Sequence, residues 1–113
     1  MNGFEWVKEL NVAVTVCDLE GIILFMNNKS ERTFAADGGK SLIGTNLMAC
    51  HSEKSQAKIA ELLNNSSTNA YTIEKNGVKK LIFQTPWFTN GKVSGLVELS
   101  MEIPSEMAHF IRH

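Results

Sequence analysis

Two Asn-Gly pairs limit what this chain can become. Asn76-Gly77 and Asn90-Gly91 each lie between segments rich in β-branched and aromatic residues. A two-residue type I′ hairpin needs positive φ at both central positions, and Asn-Gly supplies it at little steric cost. Residues 69–103 therefore read as three strands joined by two tight turns. The last strand alternates. Val93, Gly95, Val97, Leu99, Met101 and Ile103 point to one side, and Ser94, Leu96, Glu98, Ser100 and Glu102 to the other. Period 2 kept over the whole of that stretch is the pattern of a half-buried antiparallel sheet.

Upstream, Phe4 to Leu10 reads as a short amphipathic turn or helix with Trp6, Val7 and Leu10 on one side. Val12 to Asp18 alternates and predicts a first strand. Asp18-Leu19-Glu20-Gly21 is a turn, and Ile22 to Met26 predicts a short, fully buried second strand paired with the first. Asn28 with Glu31 three residues on resembles a capping box, opening a helix to about Ala36 that Asp37-Gly38-Gly39 stops. After a turn at Ser41 to Gly44, Ser52 is placed to cap a longer helix, with Glu53 in its first turn and Ile59, Leu62 and Leu63 on one face. Asn64 to Ser67 ends that helix, Pro104 stops the sheet, and Ser105 to His113 reads as a trailing helix. A lone hairpin is marginal in water, so the first two strands must join the last three in one antiparallel sheet, helices over one face: an α+β domain.

At 113 residues the chain makes one domain, with a core over about residues 5–103 and a tail from 104 to 113. A net charge of −1 offers no footprint for nucleic acid or an anionic membrane. The longest apolar run, Ile22 to Met26, is too short to cross a bilayer. Met1-Asn2-Gly3 lacks the features of a secretion signal, which predicts a cytoplasmic address, and there two cysteines, Cys17 and Cys50, are not expected to form a bridge.

In that order the segments resemble a PAS domain, the sensory module of bacterial signalling proteins. Val14 to Ile23 is similar to the family's first hairpin, and Met26-Asn27-Asn28 to its junction into the first helix. Leu42-Ile43-Gly44-Thr45-Asn46-Leu47 is similar to the segment before its long helix, and Gly91 to Val97 to its final hairpin. Glu102-Ile103-Pro104 stands where the family usually ends in Asp-Ile-Thr, at the point of signal relay, which makes Glu102 and Ile103 the relay candidates. The resemblance implies a curved five-stranded sheet of order 2-1-5-4-3 with a small pocket between sheet and helices. It also implies pairing into homodimers and an output domain or signalling partner. The position where haem-binding members carry their axial His falls at Ile59, and the position of the reactive Cys in flavin-binding members falls at Leu47. Neither cofactor is therefore expected.

Several residues could line such a pocket. Phe25, Phe34, Leu47, Met48 and Ile59 are apolar at strand or helix spacing and serve a core equally well. Phe83, Gln84, Trp87 and Glu98 in the sheet could supply aromatic walls and one or two polar anchors, although Pro86 next to Trp87 points to an edge or a bulge. Cys50-His51 could bind a metal or haem or act as a redox pair. The favoured reading is a small hydrophobe and a helix-capping side chain, because a metal needs further ligands and the other histidines, His109 and His113, lie in the tail. Gly38-Gly39-Lys40-Ser41 echoes the end of a phosphate loop without the earlier Gly or the preceding strand, and reads as a turn. No nucleophile elbow or His-Glu-x-x-His motif is present, and an enzyme, using His51 with Glu98 for example, has no further support. The sequence thus predicts a sensor for an unidentified small molecule. The alternative is a ligand-free dimerisation module with an apolar outer sheet face, including Leu96 and Trp87.

Overall fold

Both Asn-Gly turns have the backbone that their sequence requires: φ is 54° and 78° at Asn76 and Gly77, and 50° and 80° at Asn90 and Gly91. They join β3 (Asn69–Lys75), β4 (Val78–Thr89) and β5 (Lys92–Ile103). The computed structural model describes residue 3 and residues 5–47 and 52–113. Ahead of the hairpins come α1 (Glu5–Lys8), β1 (Ala13–Asp18), β2 (Ile23–Met26), α2 (Asn28–Thr33), 3-10 turns at Ala35–Asp37 and Gly39–Leu42, and α3 (Glu53–Asn65). The strands form one antiparallel sheet in the order β2-β1-β5-β4-β3. This is the α+β architecture expected from the segment order.

A bulge decides which side of β5 meets the helices. Phe88 lies opposite Val93 but Trp87 lies opposite Gly95, so Ser94 is an extra residue and the register moves by one. Because successive side chains point to opposite faces, that slip sets the face of everything beyond it. Leu96, Glu98 and Ser100 pair with Pro86, Gln84 and Ile82. Leu96 (4% exposed) packs with Cys17 of β1 and with Ile59 and Leu62 of α3, which form the core. The more apolar row, Val97, Leu99 and Met101, aligns with Thr85, Phe83 and Leu81 on the outer face and is only half-buried. Leu96 therefore does not belong to an outer apolar surface with Trp87.

Asn27 ties the start of the chain to the sheet. Its side chain is 0% exposed and makes four hydrogen bonds: Oδ1 accepts from Val14 N and Ser30 N, while Nδ2 donates to Val7 O and Val12 O. The cap of α2 is thus Asn27 and not Asn28, because only the Asn27 side chain reaches Ser30 N. Ser52 caps α3 as expected, accepting from Ser55 N at 3.2 Å.

Elsewhere the short elements depart from expectation. Trp6 is 63% exposed although Val7 beside it is buried. A helix of four residues has too few turns to turn both toward one surface. The second strand is not fully buried: as an edge strand it leaves Leu24 48% exposed. Its free edge is covered by the loop from Gly44 to Leu47, through Gly44 N to Ile23 O (2.8 Å), Ile23 N to Thr45 O (2.9 Å) and Leu47 N to Gly21 O (2.8 Å). α2 ends at Thr33, and a 3-10 turn continues to Asp37. Residues 104–113 carry no helix, since Met107, Phe110 and Ile111 find no surface to pack on and stay exposed.

Asn27→Ala strands the N–H groups of Val14 and Ser30 and the Val12 carbonyl and leaves Val7 O with Leu10 N alone, and is expected to cost about 3–5 kcal/mol. Urea unfolding checks this; a loss below about 1 kcal/mol, the scale of one exposed cap, would mean that the network contributes little.

Candidate functional site

One register row carries polar side chains across the helix-facing side of the sheet. Met26, Thr15, Glu98, Gln84 and Asn69 stand opposite one another in β2, β1, β5, β4 and β3. Their hydrogen bonds run one way. Asn69 Nδ2 donates to Gln84 Oε1 at 3.0 Å, and Gln84 Nε2 donates to Glu98 Oε2 at 2.9 Å. Thr15 Oγ1 is paired with Ser30 Oγ of α2. Gln84 is buried, and its amide has a partner on each end.

Above this row, between sheet and helices, lies a cavity of about 210 Å³. The sheet contributes Thr15, Cys17, Ile23, Met26, Gln84, Leu96 and Glu98. The helical side contributes Phe34, Asp37, Leu42, Leu47 and Ile59. A second hollow of about 450 Å³ adjoins it along α3 and β3, sharing Phe34, Ile59, Gln84 and Glu98 and adding Lys54, Lys58, Lys80 and Tyr71. The first is apolar with a polar floor, and the second sets three lysines and Glu98 among apolar and uncharged polar side chains. Burial pushes the Cys17 thiol up from its usual range, Asp18 and Glu98 push the same way, and the Leu96 backbone opposes them. Burial and then Glu98 raise the Tyr71 phenol. Among the described residues no group of three His, Cys, Asp or Glu side chains is gathered to hold a metal, and no helix is long and apolar enough to cross a membrane.

Of the residues singled out in the sequence, Phe34, Leu47, Ile59, Gln84 and Glu98 stand in the cavity wall. Phe25, Phe83 and Trp87 do not. Phe25 and Phe83 fall in rows with Val16 and Leu99, on the sheet face turned from the helices. Met48, Cys50 and His51 lie outside the described residues. Glu102 and Ile103 sit at the end of β5, opposite Lys80 and Lys79, away from the cavity. Sequence reasoning missed Thr15, Cys17, Ile23, Met26, Asp37, Leu42 and Leu96. The usable signal was Gln84 and Glu98, each directly after an apolar residue, Phe83 and Val97, but the bulge hides that they face each other.

Trp87 has a different task. Its Nε1 donates to the Cys17 carbonyl at 2.9 Å, crossing β5 at Gly95. A Cβ at Gly95 would stand 1.9 Å from Cys17 O and 2.6 Å from Trp87 Nε1, so only glycine lets the three strands meet this way. Pro86 lies past the last residue of β4 that pairs with β3, Gln84, where its missing N–H leaves no gap in that ladder.

This arrangement is similar to that of solved PAS domains. A Colwellia psychrerythraea PAS domain is 18% identical, covers 88% of this chain and 92% of its own, and has a TM-score of 0.67. The Vibrio cholerae Aer2 receptor, described as a dual PAS-haem oxygen sensor, is 18% identical over 87% of this chain and 99% of that one, with a TM-score of 0.63. VqmA of Vibrio cholerae, in a complex with ligand and DNA, is 16% identical over 88% of this chain and 49% of that one, with a TM-score of 0.69. No protein-family model matches the sequence, and no curated protein does. The chain has the fold of a PAS domain.

Trp87→Phe removes one donor from the Cys17 carbonyl and is expected to cost about 1–2 kcal/mol. Gly95→Ala forces β1, β5 and Trp87 apart and costs about 3 kcal/mol or more. Urea unfolding followed by far-UV circular dichroism ranks the two, and an equal or reversed ranking contradicts the close approach.

Proposed function

We propose that this PAS-fold domain is a sensor that takes a small molecule between its sheet and helices and passes the resulting change to a partner or output domain. It acts by binding and not by catalysis. The observation that carries this reading is the cavity of about 210 Å³ with a hydrogen-bonded polar floor under apolar walls. A few placed polar groups among apolar ones are what fix a ligand's orientation. Unfilled apolar volume costs about 24 cal/mol per Å³, so a core selected only for stability would close such a space.

The relay follows from chain continuity. Leu96 and Glu98 wall the cavity, and the same strand ends at Glu102 and Ile103. A ligand that favours one arrangement of the walls shifts the population of the whole strand, and that shift leaves the domain at its end. Neighbours of the same fold include a VqmA–ligand–DNA complex and a histidine-kinase sensory box, which supports a sensory role.

A second reading, assembly without a ligand, is favoured by the half-buried outer row of Val97, Leu99 and Met101 beside Phe83. Thermal melting against a set of small neutral and charged fragments separates the two. At least one fragment is expected to raise the melting temperature of the native chain and to lose that effect in Cys17→Leu, which narrows the cavity. If no fragment binds and light scattering finds a stable dimer, the assembly reading stands instead.

A further inference from the structure

The direction of hydrogen bonding over the cavity floor selects one chemistry. Asn69 donates to Gln84 and Gln84 donates to Glu98, so the chain of donors ends on a carboxylate. Glu98 Oε2 takes the Gln84 amide, and Glu98 is a wall of the cavity, half-buried and not sealed away. An ionised carboxylate has about four lone-pair sites and no donor of its own. The charged group that the floor presents to a visitor is therefore an acceptor, beside the second N–H of the Gln84 amide and the Thr15 hydroxyl. Gln84 cannot reverse this by turning its amide, because its two ends are fixed by Asn69 and Glu98.

Charge points the same way. Among the described residues the cavity wall holds two carboxyl groups, Glu98 and Asp37, and no basic side chain. The lysines Lys54, Lys58 and Lys80 stand in the adjoining hollow, which reaches the other side of Glu98, and not in the cavity wall. An anion entering the cavity would meet like charge over a low-dielectric wall, whereas a cation would gain a charge-assisted hydrogen bond there. Phe34 adds an aromatic surface and Ile59 and Leu96 an aliphatic one. The cavity, about 210 Å³, is smaller than the roughly 300–1,000 Å³ of drug-sized sites, so the body of the molecule is short.

We infer that the cavity takes a small molecule bearing a protonated amine on a short apolar or aromatic body, with the Glu98 carboxylate accepting from the ammonium group. This rests on the sensor reading and names the ligand class for that same site.

Three probes of similar size and different charge test it: 2-phenylethylamine, 2-phenylethanol and phenylacetate. A primary alkylamine, like the lysine side chain, is protonated at neutral pH. Calorimetric titration of the full chain is expected to rank the amine first, with phenylacetate weakest. In Glu98→Gln, which keeps an oxygen for the Gln84 amide, amine affinity is expected to fall about tenfold or more while phenylethanol changes less than about threefold. Phenylacetate binding as tightly as the amine overturns the inference. So does an amine affinity that Glu98→Gln leaves unchanged. If that variant does not fold, the ranking of the three probes on the native chain decides alone. Binding of the alcohol or acid without the amine sinks the amine class and leaves the sensor reading intact. Should none of the three bind while other fragments raise the melting temperature, the amine class again falls alone, and failure of every fragment removes both.

Discussion

Asn27 is the contact on which the arrangement of this domain depends. A buried amide with two donors and two acceptor lone pairs is costly unless all four are used, and here all four are. Satisfying them fixes three things together. The loop before β1 is held by Val12 O, α1 by Val7 O, and the start of α2 by Ser30 N. Because α2 carries Ser30 and leads directly to Phe34, the helical wall of the cavity is placed by the same side chain. An apolar residue at this position could fill the space but could not choose that geometry.

The parts legible in the sequence were those governed by local chemistry. Asn76-Gly77 and Asn90-Gly91 announce their turns because so few dipeptides tolerate two successive positive φ angles. Ser52 announces α3 because a hydroxyl there meets an otherwise unpaired N–H. Segment order, joined to the resemblance, then gave the sheet its strand sequence. Asn27 and Asn28 illustrate the limit. Either can cap a helix, and only the tertiary demand from Val7, Val12 and Val14 settles which one does.

The cavity was less legible because its residues are set by parity along the strands. Alternation in β5 is plain in the sequence, but it does not say which row is dry. The apolar row of Val97, Leu99 and Met101 looks like the core, and Leu96, Glu98 and Ser100 look like surface. A single extra residue at Ser94 reverses that assignment relative to β4. It brings Gln84 against Glu98 inside and turns Phe83 outward, which is why the polar anchors expected from the sheet stand in the wall and the aromatic residue expected from β4 does not. Trp6 and the 104–113 tail failed for a different reason: short apolar segments acquire a face only from something to pack on.

The two borders of the sheet are unlike. Along β2 the loop from Gly44 to Leu47 takes both backbone groups of Ile23, the N–H on Thr45 O and the carbonyl on Gly44 N. Along β3 no further strand is paired among the described residues. The border with the longer open run is therefore β3, and two copies that meet there edge to edge do so with the same strand from each, about a two-fold axis.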